Sequence, residues 1–164
     1  MSEHELSLLN VYEVEDQGRT RYLVGFLDPV LAGSRGIALR AMIGEFTPRA
    51  DGEFDLGTFE VNPEFIAAFE QYMNGEPSRS PAMVEQARAV PGQWLYLVDP
   101  RNTTPPDQDP PAADILGRFA VDDEGQVVPN SFQYNNGHLW FSPESGVSGL
   151  LLDKRFYNWL HQIP

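Results

Sequence analysis

Asn62-Pro63-Glu64-Phe65-Ile66-Ala67-Ala68-Phe69-Glu70-Gln71-Tyr72-Met73-Asn74-Gly75 reads as one helix written out from cap to cap. Asn62 supplies a side-chain acceptor for the first free amides. Pro63 lacks the amide that a first helical residue has no use for, and Glu64 sets a carboxylate beside the positive end of the dipole. Phe65, Ile66, Phe69, Tyr72 and Met73 recur at helical spacing as one apolar stripe, and Gly75 is placed to end it. A helix over Pro63 to Asn74 is expected. Ser80-Pro81 repeats the opening for a second helix, Pro81 to Val90, with Met83, Val84, Ala87 and Val90 inward and Pro91-Gly92 as its stop; together the two have the outline of a helical hairpin. Asp153 caps a third, Lys154 to Gln162, whose Phe156, Trp159, Leu160 and Ile163 share a face.

Strand patterns lie on both sides of these helices. Leu6 to Glu13 and Arg21 to Leu27 flank the turn chemistry of Asp16-Gln17-Gly18, and the second has apolar residues on both faces, as a central strand does. Ile37, Leu39, Ala41 and Ile43 alternate as in a strand, while Ala38-Leu39-Arg40-Ala41-Met42 has good helix propensity; the strand is expected, with Pro48 to Glu53 as a loop and Phe54 to Val61 returning. Trp94 to Val98 is an unbroken apolar run, expected as a buried strand that Asp99-Pro100 ends. The four prolines between Arg101 and Ala113 make that stretch an extended loop. Leu116 to Val121 and Gln126 to Val128 flank Asp122-Asp123-Glu124-Gly125 as a hairpin, and His138 to Phe141 is a further short strand. The fold class is α+β: one domain over residues 1–164, with a mainly antiparallel sheet of about six to eight short strands covered by two or three helices.

A chain of 164 residues with 41% hydrophobic and 12% aromatic residues has enough apolar mass to fold without staples. It has no cysteine, which excludes disulfides, thiolate metal sites and a cysteine nucleophile. The formal net charge is -13, from 24 acidic and 11 basic side chains. That sign repels phosphate backbones and anionic leaflets, so neither nucleic acid nor membrane is an expected partner. A basic protein is the partner that such a surface would suit. Met1-Ser2-Glu3-His4-Glu5 lacks a basic, then apolar, leader pattern, and no apolar run reaches the roughly 18 residues of a membrane span. The expected location is the cytoplasm.

The motifs of common chemistry are missing. There is no G-x-S-x-G elbow, no Gly-rich phosphate loop and no H-E-x-x-H, and no cofactor or metal site is expected. Of three histidines, His4 lies near the terminus and His161 at a helix end, where a cation complements the dipole. His138 stands at a loop-to-strand junction after Asn135-Asn136-Gly137. Asp99 ends a buried strand beside the long loop, where open sheets present ligands. These two are the catalytic candidates, as the acid–base pair of a hydrolase with or without a divalent metal. The structural alternative makes His138 a hydrogen-bonded turn residue and Asp99 a cap before Pro100.

The leading expectation is non-catalytic. Asp107, Asp109, Asp114, Asp122, Asp123 and Glu124 face only Arg101 and Arg118 between Arg101 and Gly125, making a stiff negative surface. Asp107, Asp109, Asp122, Asp123 and Glu124 would meet a basic protein, with Tyr134 and Trp140 as apolar anchors. Phe132 is a further anchor by the same logic. Alternatively these aromatics belong to the core. Asp51, Glu53 and Asp55 form a second acidic set, read as a solvated turn. A face of Phe156, Trp159 and Leu160 docking on a copy of itself is a third possibility.

Overall fold

The computed structural model describes residues 10–28, 30 and 38–164. His4, the Leu6 to Leu9 portion of the first expected strand, and Gly36 and Ile37 lie outside them. The chain divides into two compact units, Met1–Ile66 with Gly149–Pro164, and Ala67–Ser148. Three α-helices and nine short strands, paired antiparallel, make up the regular structure of the described residues, an α+β fold. The strands fall into three sheets, of four, three and two strands.

In the first unit, β1 (Asn10–Asp16) and β2 (Arg19–Gly25) form the expected hairpin. The turn is tighter than the sequence reading: only Gln17 and Gly18 connect the strands, both at positive φ, 51° and 79°. Such a two-residue turn matches the twist of paired strands, and it carries the pairing out to Asp16 and Arg19. β2 is central, between β1 and β3 (Gly44–Phe46), and its Leu23 and Val24 are both buried. The expected strand through Leu39 and Ala41 is instead a 3-10 turn, Leu39–Ala41. The backbone closes on itself there, the Ala41 and Met42 amides donating to the Ala38 and Leu39 carbonyls at 2.9 and 3.1 Å, and Ala41, Met42 and Ile43 are all buried. The returning strand is confined to β4 (Glu60–Val61), because Leu56–Thr58 forms another 3-10 turn whose amide at Gly57 is capped by the Asp55 carboxylate.

Asn62 does more than cap. Its Oδ1 accepts from the Glu64 amide at 3.1 Å, opening helix α1 (Pro63–Asn74) where expected, while its Nδ2 donates to the Leu39 and Met42 carbonyls at 3.0 Å each. The C-terminal helix α3 (Lys154–Leu160) is capped by Asp153, which accepts from Arg155 and Phe156 amides, and it ends two residues before the expected Gln162. Phe156 and Leu160 are buried, and Trp159 packs between Phe65 and Phe156 at centroid distances of 6.2 and 5.4 Å.

The second unit holds most of α1, helix α2 (Pro81–Arg88) capped by Ser80, and the sheet of β5 (Trp94–Val98), β6 (Ile115–Ala120) and β7 (Gln133–Tyr134). Helix α2 stops two residues short of Val90, and its Met83 and Ala87 are buried while Val84 is exposed. β5 is not the doubly covered strand its composition suggests. Leu95 and Leu97 point into the core, but Trp94, Tyr96 and Val98 are exposed, because alternate side chains point to opposite faces and the face they share with Arg118 and Gln133 is not buried. Gly117 of β6 lies so close to β7 that a Cβ there would collide with the Gln133 carbonyl. The hairpin after β6 is present as a bridge between Val121 and Val127. The expected strand His138 to Phe141 is replaced by a turn and then β8 (Phe141–Ser142) paired with β9 (Gly146–Val147).

Candidate functional site

Alternation along β5 sends Leu95, Leu97 and then Asp99 to the same inner side, so a carboxylate follows two leucines into the core. The Asp99 amide donates to the Asp114 carbonyl at 2.7 Å, which holds the strand end against the start of β6. His138 arrives from the Asn135-Asn136-Gly137 turn. Asn135 stitches that turn down, donating to the Ala112 and Ile115 carbonyls and accepting from the Gly137 amide. Ser148 follows β9, its amide bonded to the Trp140 carbonyl at 2.9 Å.

The two catalytic candidates meet. His138 Nε2 lies 2.9 Å from Asp99 Oδ2, both side chains fully buried. Ser148 Oγ donates to the same oxygen at 2.6 Å, and the other, Asp99 Oδ1, accepts from the Arg101 amide at 3.1 Å. On the far side of the ring, Tyr134 Oη lies 2.9 Å from His138 Nδ1. The partners assign the proton positions: a neutral imidazole with its hydrogen on Nε2 donates to Asp99 and accepts from Tyr134. The result is a directed chain, Tyr134 to His138 to Asp99, with Ser148 donating into the same end. Burial lowers the His138 pKa below its ordinary value, and the hydrogen bond and charge of Asp99 oppose this without cancelling it. Burial likewise pushes the Tyr134 phenol well up, against a smaller opposite effect of Trp140.

A second buried cluster lies alongside. The Arg101 guanidinium, its side chain 5% exposed, pairs through Nε with Asp114 Oδ1 at 2.9 Å. Its remaining donors reach the carbonyls of Gly146 (2.6 Å), Ala113 (2.8 Å) and Leu139 (2.6 Å). One side chain thus ties the long loop, the His138 turn and the β8–β9 hairpin together. Around both clusters the rings of Phe69, Phe132, Tyr134 and Trp140 pack largely edge to face, with Phe69 and Trp140 at 5.4 Å and His138 and Trp140 at 5.0 Å.

This geometry differs from a nucleophilic triad. The serine proton points to the carboxylate rather than to the imidazole, and both ring nitrogens are engaged, so no lone pair is left to take a proton from a substrate. The other candidates divide. Asp107, Asp109, Asp123 and Glu124 are exposed, whereas Asp122 uses its carboxylate to accept the Glu124 and Gln126 amides and so shapes its own turn. Asp114 leaves the acidic surface altogether for its ion pair with Arg101. Trp140 and Phe132 are core residues and Tyr134 turns its hydroxyl inward, so these aromatics are not surface anchors. No group of three or more His, Asp or Glu side chains among the described residues is placed to hold a metal ion. No helix of the described residues is long and apolar enough to cross a membrane.

Sequence reasoning misses Ser148, since Ser145-Gly146-Val147-Ser148-Gly149 reads as a flexible turn, and Arg101, which reads as surface charge. The usable signal for Arg101 was its place one residue beyond Asp99-Pro100, at the inward end of a strand.

The depressed pKa of His138 fixes a sign for pH dependence. The unfolded chain takes up a proton near pH 6.5 that the folded chain refuses until lower pH, so stability is full above that value and falls as pH drops below it. The slope should approach ~1.4 kcal/mol per pH unit at most. Urea midpoints measured at pH 7.5, 6.5 and 5.5 should decline, and His138→Phe should flatten that decline. Equal midpoints across the three would contradict the assignment. The chain matches no family model, no curated protein and no solved structure.

Proposed function

We propose that this protein is a non-catalytic binding domain whose exposed loop carboxylates meet a basic protein partner. One observation carries the reading: the single imidazole–carboxylate pair singled out by the sequence is sealed, with its polar atoms engaged, while Asp107, Asp109, Asp123 and Glu124 stand in solvent without an ion-pair partner among the described residues. The buried polar network holds both ends of the loop that carries Asp107 and Asp109, the Asp122 carboxylate shapes the turn that carries Asp123 and Glu124, and complementary charge speeds association and selects the partner. The quadruple variant Asp107→Asn, Asp109→Asn, Asp123→Asn, Glu124→Gln is expected to retain basic proteins from host lysate on the order of tenfold less well than the parent, which should itself release them at raised salt. A parent that retains none, or a variant that retains the same set equally, ends this reading.

The 2.9 Å contact of Asp99 and His138 favours one second reading, a hydrolase in which they act as acid and base. It requires solvent access to the imidazole. Diethyl pyrocarbonate, with modified histidines located by mass spectrometry, separates the two: the binding reading expects His138 to be protected in the native protein, and rapid native modification of His138 supports the hydrolase.

A further inference from the structure

Strand β5 leaves a backbone edge open among the described residues. It stands at one end of the order β5-β6-β7. The Gln93 carbonyl accepts from Val121 at 3.0 Å and the Asp99 amide donates to Asp114 at 2.7 Å, so the odd-numbered residues turn their backbone groups toward β6. Trp94, Tyr96 and Val98 therefore turn theirs to the free side. The extra residue where the ladder slips between Leu97 and Val98 belongs to β6, so β5 keeps its own alternation. The side chains of Trp94, Tyr96 and Val98 also stand out of the sheet, 39%, 54% and 39% exposed.

Native sheets guard such edges with charge, proline or a bulge. Gln93 to Val98 has none of these, although the chain carries a net charge of -13. A bare apolar edge of high β-propensity is a template for aggregation unless something occupies it. The sequence of the strand points to the occupant, because Trp94-Leu95-Tyr96-Leu97-Val98 is complementary to itself when reversed. Laid antiparallel on a copy and centred on Tyr96, it sets Tyr96 opposite Tyr96, Leu95 opposite Leu97 and Trp94 opposite Val98. Aromatic and aromatic–β-branched pairs then form on the outer face, among the more favourable cross-strand pairs, and leucine meets leucine on the inner one.

We propose that β5 pairs with β5 of a second copy about a two-fold axis through Tyr96, joining two three-stranded sheets into one of six strands. The contact closes on itself, since each copy spends its free edge on the other, and the opposite edge strand, β7, has only two residues with which to continue. Charge fits this occupant. No carboxylate lies on β5, and the cation nearest its face, Arg118, is held 3.9 Å over the Trp94 ring and by Gln133 Oε1, so the seam carries little of the repulsion that the net charge imposes elsewhere. For the same reason it is a poor seat for a basic protein, and this pairing stands independently of the partner proposed above.

Sedimentation equilibrium should give a mass of twice 18.4 kDa at micromolar concentration. Tyr96→Lys and Tyr96→Pro alter only the free-edge side of the strand, and each should weaken the dimer on the order of tenfold or more while leaving the far-ultraviolet spectrum of the monomer unchanged. The absence of cysteine allows a test of register. Opposed hydrogen-bonded residues have Cα atoms about 5.5 Å apart, within disulfide reach, so Tyr96→Cys should cross-link to itself under mild oxidation far faster than the exposed Val128→Cys. A parent that stays monomeric, a dimer indifferent to Tyr96→Lys, or equal cross-linking at the two positions would each overturn the proposal.

Discussion

Arg101→Ala is expected to cost the protein ~3–5 kcal/mol, the largest loss for any single charged side chain described here. The change strands the Asp114 carboxylate in the interior, its side chain 4% exposed, with only Ser145 Oγ at 3.3 Å for company among the described residues. It also removes one donor from each of the carbonyls of Gly146, Ala113 and Leu139. Against a typical total of about 5–15 kcal/mol this is about a fifth of the native stability at the least. The urea midpoint should fall accordingly, and protease should cut the 101–113 loop earlier. Arg101→Lys should fall between, because one ammonium cannot present the guanidinium fork to four acceptors spread over three segments. Replacing both partners, Arg101→Met with Asp114→Leu, should recover part of the loss by removing the buried charge, though not the part owed to the carbonyls. A loss below about 1 kcal/mol for Arg101→Ala would mean that the guanidinium is solvated.

Asp99→Ala is the second large effect. Three donors lose their acceptor at once: His138 Nε2–H, Ser148 Oγ–H and the Arg101 amide. At about 1–3 kcal/mol for each buried group left unmade, a loss of ~3 kcal/mol or more is expected. Asp99→Asn should cost clearly less, since the amide keeps an acceptor oxygen and its NH2 can donate to His138 Nε2. The imidazole then carries its hydrogen on Nδ1 and donates to Tyr134 Oη, which reverses the direction of the chain without breaking it. The nitrogen-15 shifts of His138 would report that change of tautomer. Equal losses for Asn and Ala would refute the network as drawn. The same variant bears on function: a binding domain keeps its partner affinity in Asp99→Asn, whereas a hydrolase that relies on this carboxylate loses its activity.

The helices were legible because their signals are local. Asn62-Pro63, Ser80-Pro81 and Asp153 each satisfy amides within three residues, so cap and helix stand together in the chain and need no distant partner. The hairpin at Gln17-Gly18 was legible for the same reason. The 39–43 segment was not, because its alternation fits a strand while its backbone closes into a turn, with the Ala41 and Met42 amides on the Ala38 and Leu39 carbonyls. The run Trp94 to Val98 reads as buried because composition reports how apolar a strand is, while which of its faces is covered is a matter of tertiary packing.

By itself the sequence determined the α+β class, the helix starts, the long proline-stiffened loop and the excess of negative charge, all properties of neighbouring residues or of sums. It also named Asp99 and His138 as the pair worth finding. Only the tertiary structure decided that they touch, that Tyr134 and Ser148 complete their hydrogen bonding, and that Arg101 and Asp114 leave the surface to pair inside. Those contacts join residues 4 to 49 positions apart, and what selects them is the cost of leaving a buried polar group without a partner, which depends on where the chain has put every other group.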